Sequence, residues 1–427
     1  MKEYIQYGII YTIKLLLKVS YTACNESKRT VVPFNTSLSI EDNIAQNSIS
    51  LDSINDLKFL DDISKSRSVI FLGEGSHSEL TTSSIKINML NHLRKSGFNS
   101  IALETVPFLT AYVFSNPEYA QITKYWKLEE FWAPAWTTQK TCKPLIEMIN
   151  RRDIKIWGID VYLSKYDIFA AKAIIQKYSE KAYSEINWNA LHRLYDRKFF
   201  YYNDANAKDY EKGIHISVEG QYELMRIIDT LSNYVQLIIA NNGNSNDLKA
   251  LTQWIRIINT SFSDIEYGKD LMSPDEQLRT RNRDYQMAEN ILWITENYPT
   301  EKFSVWCANF HGTKDISQTT YPKDSLWYFI FQSMGETVFN KLGDKMYSLA
   351  FTSLDSQGKD QRENDLLEAA IGRKTNNAPF AFIDFEKLRF DEGYFNKEFD
   401  ACMIGHKRGK WLYIFDGVYY IKDQEYR

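Results

Sequence analysis

The sequence predicts an α/β fold: a mostly parallel sheet with helices on both faces and a large helical insertion or cap. Three observations carry that expectation. Short buried runs rich in Val, Ile and Phe recur along the chain. The first two are joined by a stretch of helical spacing, as a parallel crossover requires. Between about Tyr162 and Pro299, strand signals give way to helical periodicity.

Taken in order, the chain begins with a largely apolar run from Ile9 to Val19, interrupted by Thr12, Lys14 and Lys18 and followed by Tyr-Thr-Ala-Cys at Tyr21 to Cys24. That pattern resembles a bacterial lipoprotein signal over residues 1–24. Cleavage before Cys24 would leave a lipid on its sulfur and tether the protein to the cell envelope. The other reading is an amphipathic N-terminal helix on a cytoplasmic protein. No other segment has the apolar length to span a membrane. A polar, Ser- and Asn-rich leader, residues 25–56, is expected ahead of a domain covering 57–427.

Ser68 to Leu72 reads as the first buried strand, and a tight glycine-containing loop follows. From Thr82 to Lys95 the apolar residues Ile85, Ile87, Met89, Leu90 and Leu93 mark a helix, with Gly97 where a C-terminal cap belongs. Ile101 to Leu103 is the next strand. Further strands are expected at Ile154 to Ile159, Phe303 to Ala308, Tyr347 to Phe351, Ala381 to Ile383, Ala401 to Ile404 and Trp411 to Phe415. The insertion, about 162–299, carries helical periodicity over Tyr166 to Tyr183, Tyr222 to Ile239 and Leu278 to Asn297. The string Asn-Asn-Gly-Asn-Ser-Asn at Asn241 to Asn246 is a turn between two of its helices.

Composition narrows the function. The net charge of -4 mixes both signs along the chain without a basic block to neutralise a run of phosphates, so nucleic acid is not an expected partner. Cys24, Cys142, Cys307 and Cys402 are scattered and form no C-x-x-C pair, which points to structural thiols rather than a zinc knuckle or disulfide framework. The 28 tyrosines and 24 phenylalanines supply the means for an aromatic-walled pocket for a small molecule.

Open parallel sheets bind ligands outside the carboxyl ends of their strands. Those positions are unusually polar here: Gly73-Glu74-Gly75-Ser76-His77, then Glu104, Asp160, and Asn309-Phe310-His311. A histidine titrates near pH ~6.5 when unperturbed, and a neighbouring carboxylate can hold its tautomer and stabilise its charged form, which suits a general base for water. No G-x-S-x-G elbow presents a serine nucleophile. Glu74, His77, Glu104 and His311 could also supply a mixed metal site, although H-E-x-x-H is absent and no other cofactor is expected. The loop is a near miss for G-x-G-x-x-G. Ser78 replaces the third glycine, and Glu74 would set a carboxylate where a pyrophosphate must approach.

These residues resemble the erythromycin esterase-like family: Leu72-Gly73-Glu74-Gly75-Ser76-His77, Gly97-Phe98, Ala102-Leu103-Glu104, Trp157-Gly158-Ile159-Asp160, Arg283 to Asn290, Val305 to His311, Met334-Gly335, Leu342-Gly343-Asp344 and Phe415-Asp416-Gly417 follow its motifs in order. The resemblance implies that His77 activates water, that Glu74 and Glu104 hold it or the water, and that His311 completes the pocket. It also implies that Lys86 and Arg283 bind a carboxylate or an oxyanion, and Asp160 and Asn309 are expected beside them as substrate-binding residues. Spacing alone favours a solvated helix face for Lys86 and an ion pair with Asp284 or Glu289 for Arg283.

Departures from the family also stand out. Macrolide-cleaving members usually follow the first histidine with glycine and then a glutamate, whereas Ser78 and Thr81 occupy those places here and Glu79 is displaced; Ala308 stands where many members carry a second histidine. The expected activity is hydrolysis of a carboxylic ester or lactone by histidine-activated water, with macrolide resistance not favoured. The alternative is a non-catalytic ligand-binding envelope protein on the same fold.

Overall fold

The computed structural model describes residues 31–192, 218–263, 274–320, 332–354, 366–376, 378–405 and 407–427. Cys24 and the signal reading lie outside these. The chain divides at Pro33, and the unit Phe34–Arg427 carries everything that follows. Among the described residues no helix is long and apolar enough to cross a membrane.

The strands are β1 (Ile49–Leu51), β2 (Val69–Leu72), β3 (Phe98–Pro107), β4 (Lys155–Asp160), β5 (Lys302–Trp306), β6 (Thr319–Thr320), β7 (Met346–Ser353), β8 (Phe380–Asp384), β9 (Phe399–Ala401), β10 (Lys407–Gly409) and β11 (Gly417–Ile421). Among the described residues eight of them form one sheet, in the order β1-β8-β11-β7-β2-β5-β3-β4, and β6, β10 and β9 form a small second one. From β11 to β4 every pairing is parallel, while β8 runs antiparallel to both β11 and β1. The sheet is therefore mostly parallel, as the sequence predicts.

Strand β2 shows why both faces are covered. Val69, Ile70, Phe71 and Leu72 are all fully buried. Side chains alternate across a strand, so Val69 and Phe71 enter one core and Ile70 and Leu72 the other. Burying each such side chain contributes roughly 1.5–3 kcal/mol. The first core takes the helices Lys165–Tyr178 and Pro274–Asn297, and the second takes the helix Leu80–Arg94.

The helices that bear on the site are α1 (Ile40–Ala45), α2 (Leu80–Arg94), α3 (Phe108–Ser115), α4 (Pro134–Thr137), α5 (Lys165–Tyr178), α6 (Val218–Asn242), α7 (Asn246–Ser263), α8 (Pro274–Asn297), α9 (Asn309–Gly312) and α10 (Met334–Leu342). Gly97 takes φ +89°, a left-handed conformation that ends the α2 region cheaply. Gly243 takes φ +75° between α6 and α7, at the expected turn.

Four readings give way. The stretch 34–56 is not a bare leader, because α1 lies there and Ile49–Leu51 pairs with β8 at the sheet edge. Trp411–Ile414 is a helical turn, and the strand lies just beyond it in β11, for a short apolar aromatic run carries no period to tell the two apart. The Ala401 strand belongs to the small sheet, as β9. The helices α5, α6 and α8 fall where helical periodicity places them and α7 follows the expected turn, but α8 is the crossover into β5 rather than a cap, with Met287, Ala288, Ile291 and Ile294 in the core.

Candidate active site

The carboxyl ends of β2, β5, β3 and β4, neighbours in the sheet, bring the site together. After β2 the chain turns at Gly73, where a Cβ would collide with the Asn309 side chain. The Asn309 backbone N–H donates to Glu74 O (2.8 Å), while its Nδ2 donates to Phe351 O (2.7 Å) and Met403 O (2.6 Å). Its Oδ1 accepts from the Phe351 N–H (3.1 Å). Asn309 thus anchors the loop to β7.

Glu74, 1% exposed, accepts four donors. His77 Nδ1 (2.7 Å) and Trp136 Nε1 (3.2 Å) reach Oε1, and Lys86 Nζ (2.8 Å) and Trp306 Nε1 (3.0 Å) reach Oε2. Lys86 also lies 4.5 Å from the Trp306 ring centroid. The His77 ring packs 4.5 Å from that of Trp136, on α4, and keeps 44% of its side chain exposed. Gln139 Nε2 donates to its backbone carbonyl (2.6 Å). Burial pulls the His77 pKa down, but the hydrogen bond and charge of Glu74, helped by Glu104 and opposed by His311, leave it raised above 6.5. With Glu74 accepting the proton of Nδ1, the neutral ring carries its lone pair on Nε2.

Across the site, β3 breaks register between Leu103 and Pro107, and Thr105 sits at φ +63°, a conformation costly for a β-branched residue. Asp160, at the end of β4, accepts the Thr105 N–H (3.0 Å) and holds this bulge. The bulge delivers Glu104, 2% exposed, whose Oε1 accepts from Arg283 Nη2 (3.0 Å) and lies 3.3 Å from His311 Nε2, and whose Oε2 accepts from the Ala308 N–H (3.0 Å). Asp160 takes Arg283 as a fork, Nε to Oδ1 (3.0 Å) and Nη2 to Oδ2 (2.6 Å).

His311, within α9, faces a second carboxylate, Asp284, at 2.8 Å from Nδ1. Asp284 also accepts the Met334 N–H (2.9 Å) at the start of α10. Burial disfavours the His311 cation, but Asp284 and Glu104 on opposite ring nitrogens push its pKa up to about 10. Burial likewise raises Glu104, yet His311 and Arg283 outweigh it and hold this carboxyl well below the ordinary range. A protonated His311 donates from both nitrogens. It therefore has no lone pair for Arg283 Nη1, which lies 3.3 Å from Nε2.

The site thus gathers His77, Glu74, Glu104, His311 and Arg283. Four expectations are corrected. Lys86 is neither a solvated helix residue nor a substrate contact: it is 0% exposed, paired with Glu74 behind the histidine. Asp160, also 0% exposed, spends its oxygens on Arg283 and on the backbone of Thr105 and Val161. Asn309 is occupied by backbone. Glu104 is turned to Arg283, His311 and Ala308 N rather than to His77. Among the described residues no three His, Cys, Asp or Glu side chains gather as a group able to hold a metal ion. Cys142, Cys307 and Cys402 are buried and in no disulfide.

Sequence reasoning missed Asp284, read only as a partner for the adjacent Arg283, and missed Trp136 and Trp306. Trp132 and Trp136, four apart around Pro134, were the available signal, since indoles flanking a proline turn suit a pocket wall.

A family model described as erythromycin esterase matches residues 94–375. The chain is 22% identical over 370 residues to the Bacillus subtilis (strain 168) protein named "Putative hydrolase YbfO", covering 79% of this chain and 78% of that protein. Among solved structures, a Bacillus cereus protein is similar with a TM-score of 0.67 at 17% identity, over 92% of this chain and 98% of its own. A mutant erythromycin esterase in its open conformation gives 0.60 at 16% identity, over 88% and 95%. At such identities these structures show a shared fold.

Proposed function

Because the chain belongs to the erythromycin esterase family, we propose that it is a hydrolase that opens a carboxylic ester or lactone by attack of a water activated at His77. The name of the Bacillus subtilis relative agrees with a hydrolase. The observation that carries the reading is His77 itself, bonded at Nδ1 to a buried carboxylate while 44% of its side chain stays exposed. In that tautomer Nε2 accepts a proton from water as the oxygen adds to the carbonyl carbon. The same proton then goes to the departing alkoxide as the tetrahedral intermediate collapses. Glu74 stabilises the imidazolium formed between the two steps.

The oxyanion needs donors that are already in place. Arg283 Nη1, backed by Asp160 and Glu104, and the His311 cation beside it supply positive charge on the far side of the site from Glu74. Glu104 and Asp284 keep those cations charged and fixed. Water-activating and charge-stabilising halves thus stand on neighbouring strands.

The test is a panel of activated esters, lactones and macrolides offered to the protein, its His77→Ala variant and the chelator-treated protein. We expect turnover that falls by about 10²–10⁴-fold in His77→Ala, with the circular dichroism unchanged, and that survives chelation. Saturable binding without product would favour the ligand-binding alternative, and loss of turnover on chelation would favour a metal enzyme.

A further inference from the structure

The segment that follows β11 returns to the loop bearing His77. Leu80 N donates to Glu425 O (2.8 Å), Arg427 N donates to Ser78 O (3.0 Å), and Glu425 N donates to the Thr81 hydroxyl oxygen (3.0 Å). Glu79 and Tyr426 form an antiparallel bridge between them. Thr82 Oγ1 lies within hydrogen-bond reach of both Glu79 Oε2 (2.8 Å) and Gln424 Oε1 (3.2 Å), and Gly75 N donates to Glu79 Oε2 (3.3 Å). Every one of these contacts falls within seven residues of His77.

We propose that Gln424–Arg427 is a positioning strap, a short antiparallel pairing with Ser78–Thr82 that holds the His77 loop against the sheet. Strand β11 is buried along its whole length, so the strap is tied to a rigid element. Gly75, Ser76 and His77 are themselves exposed. Their loop is anchored on one side by Gly73 N donating to Leu349 O (2.9 Å) and by Asn309, and on the other by the strap. Gln139 adds the single bond to the His77 carbonyl.

One position that departs from the macrolide-cleaving pattern acquires a use here. Thr81 supplies the hydroxyl that accepts from Glu425 N, while the carbonyl that accepts from Arg427 N is the backbone of Ser78, which glycine would supply as well. A glutamate side chain at 81 would lack that short acceptor geometry, and Glu79 instead turns inward to Gly75 and Thr82. A displacement of about 1 Å at a reacting group costs up to about 10²-fold in rate, so a loop held on one side only is a poor base.

The inference rests on His77 as the base, and its test has an arm that does not. Thr81→Val removes the hydroxyl while keeping the side-chain shape, Thr81→Ser restores it, and deletion of residues 424–427 removes the strap. The readouts are kcat and KM on an ester the protein turns over, the NMR titration of the His77 ring, and the thermal midpoint. His77 faces Trp136 and the charges of Glu74, Glu104 and His311. Loosening its bond to Glu74 therefore moves the titration down toward 6.5, its ordinary value.

We expect kcat about tenfold lower in Thr81→Val and in the deletion, with KM and the thermal midpoint held, the titration shifted down, and both effects reversed in Thr81→Ser. An unchanged titration with unchanged kcat in both variants overturns the strap, as does a kcat loss that only tracks the thermal midpoint. Absence of His77-dependent turnover in the wild type overturns the functional reading instead, and the titration then decides the strap alone.

Discussion

Four N–H donors on the two oxygens of Glu74 leave it no spare lone pair directed at solvent, so its charge acts on the substrate only through His77. The residue scale also assigns the two histidines different work. His77 is raised but exposed and able to lose its proton. His311 lies between two carboxylates with a pKa of about 10 against an ordinary 6.5, and stays charged at neutral pH. Its folded pKa lies above the unfolded one, so its contribution to stability is complete below pH 6.5 and is lost as pH rises through about 10. Thermal midpoints of the wild type and His311→Gln are accordingly expected to differ most just below pH 6.5 and to converge as pH rises to about 10. A constant gap would show that His311 stabilises by packing alone. Glu74, His77, Glu104 and His311 were legible because each stands just after a run of buried apolar residues. Asp284 was not, since adjacent residues on a helix read as partners of each other, whereas here Arg283 faces Asp160 and Asp284 faces His311.

At the scale of elements, the β3 bulge and β4 act as one device. Gly158 on β4 lies against the backbone of Val106 and Pro107, where a Cβ would collide with their carbonyl oxygens. Backbone cannot give way as a flexible side chain can. Gly158→Ala is therefore expected to destabilise the fold by about 1–3 kcal/mol in urea unfolding and to lower turnover, because Asp160 and Glu104 move with the two strands. An unchanged unfolding midpoint would mean the strands part without cost. The helix α8 shows the limit of periodicity in the opposite sense. Its pattern gave its extent, while only the structure shows it to be the crossover that carries Arg283 and Asp284 to the strand ends. Trp411–Phe415 failed as a strand for a related reason: five apolar residues fit one helical turn as well as an extended segment.

For the whole molecule, the sheet order places β2, β5, β3 and β4 side by side although β5 comes last of the four in sequence. That insertion brings His311 between the Glu74 loop and Glu104, and no spacing along the chain announces it. The parallel core was readable from the four-residue buried runs and their helical crossovers. The edge strand β1 was not, because a three-residue edge pairing leaves little apolar signal. The account's central claim is that His77 acts as the base, tuned by Glu74. It is tested most directly by the pH dependence of kcat/KM for a substrate ester in the wild type and in Glu74→Gln. The predicted result is a rate that rises with pH through a midpoint above 6.5, because the base works deprotonated and its pKa is raised, with the midpoint falling toward 6.5 and the rate reduced in Glu74→Gln. A rate flat across about pH 5 to 8, or a midpoint that Glu74→Gln leaves in place, would contradict it.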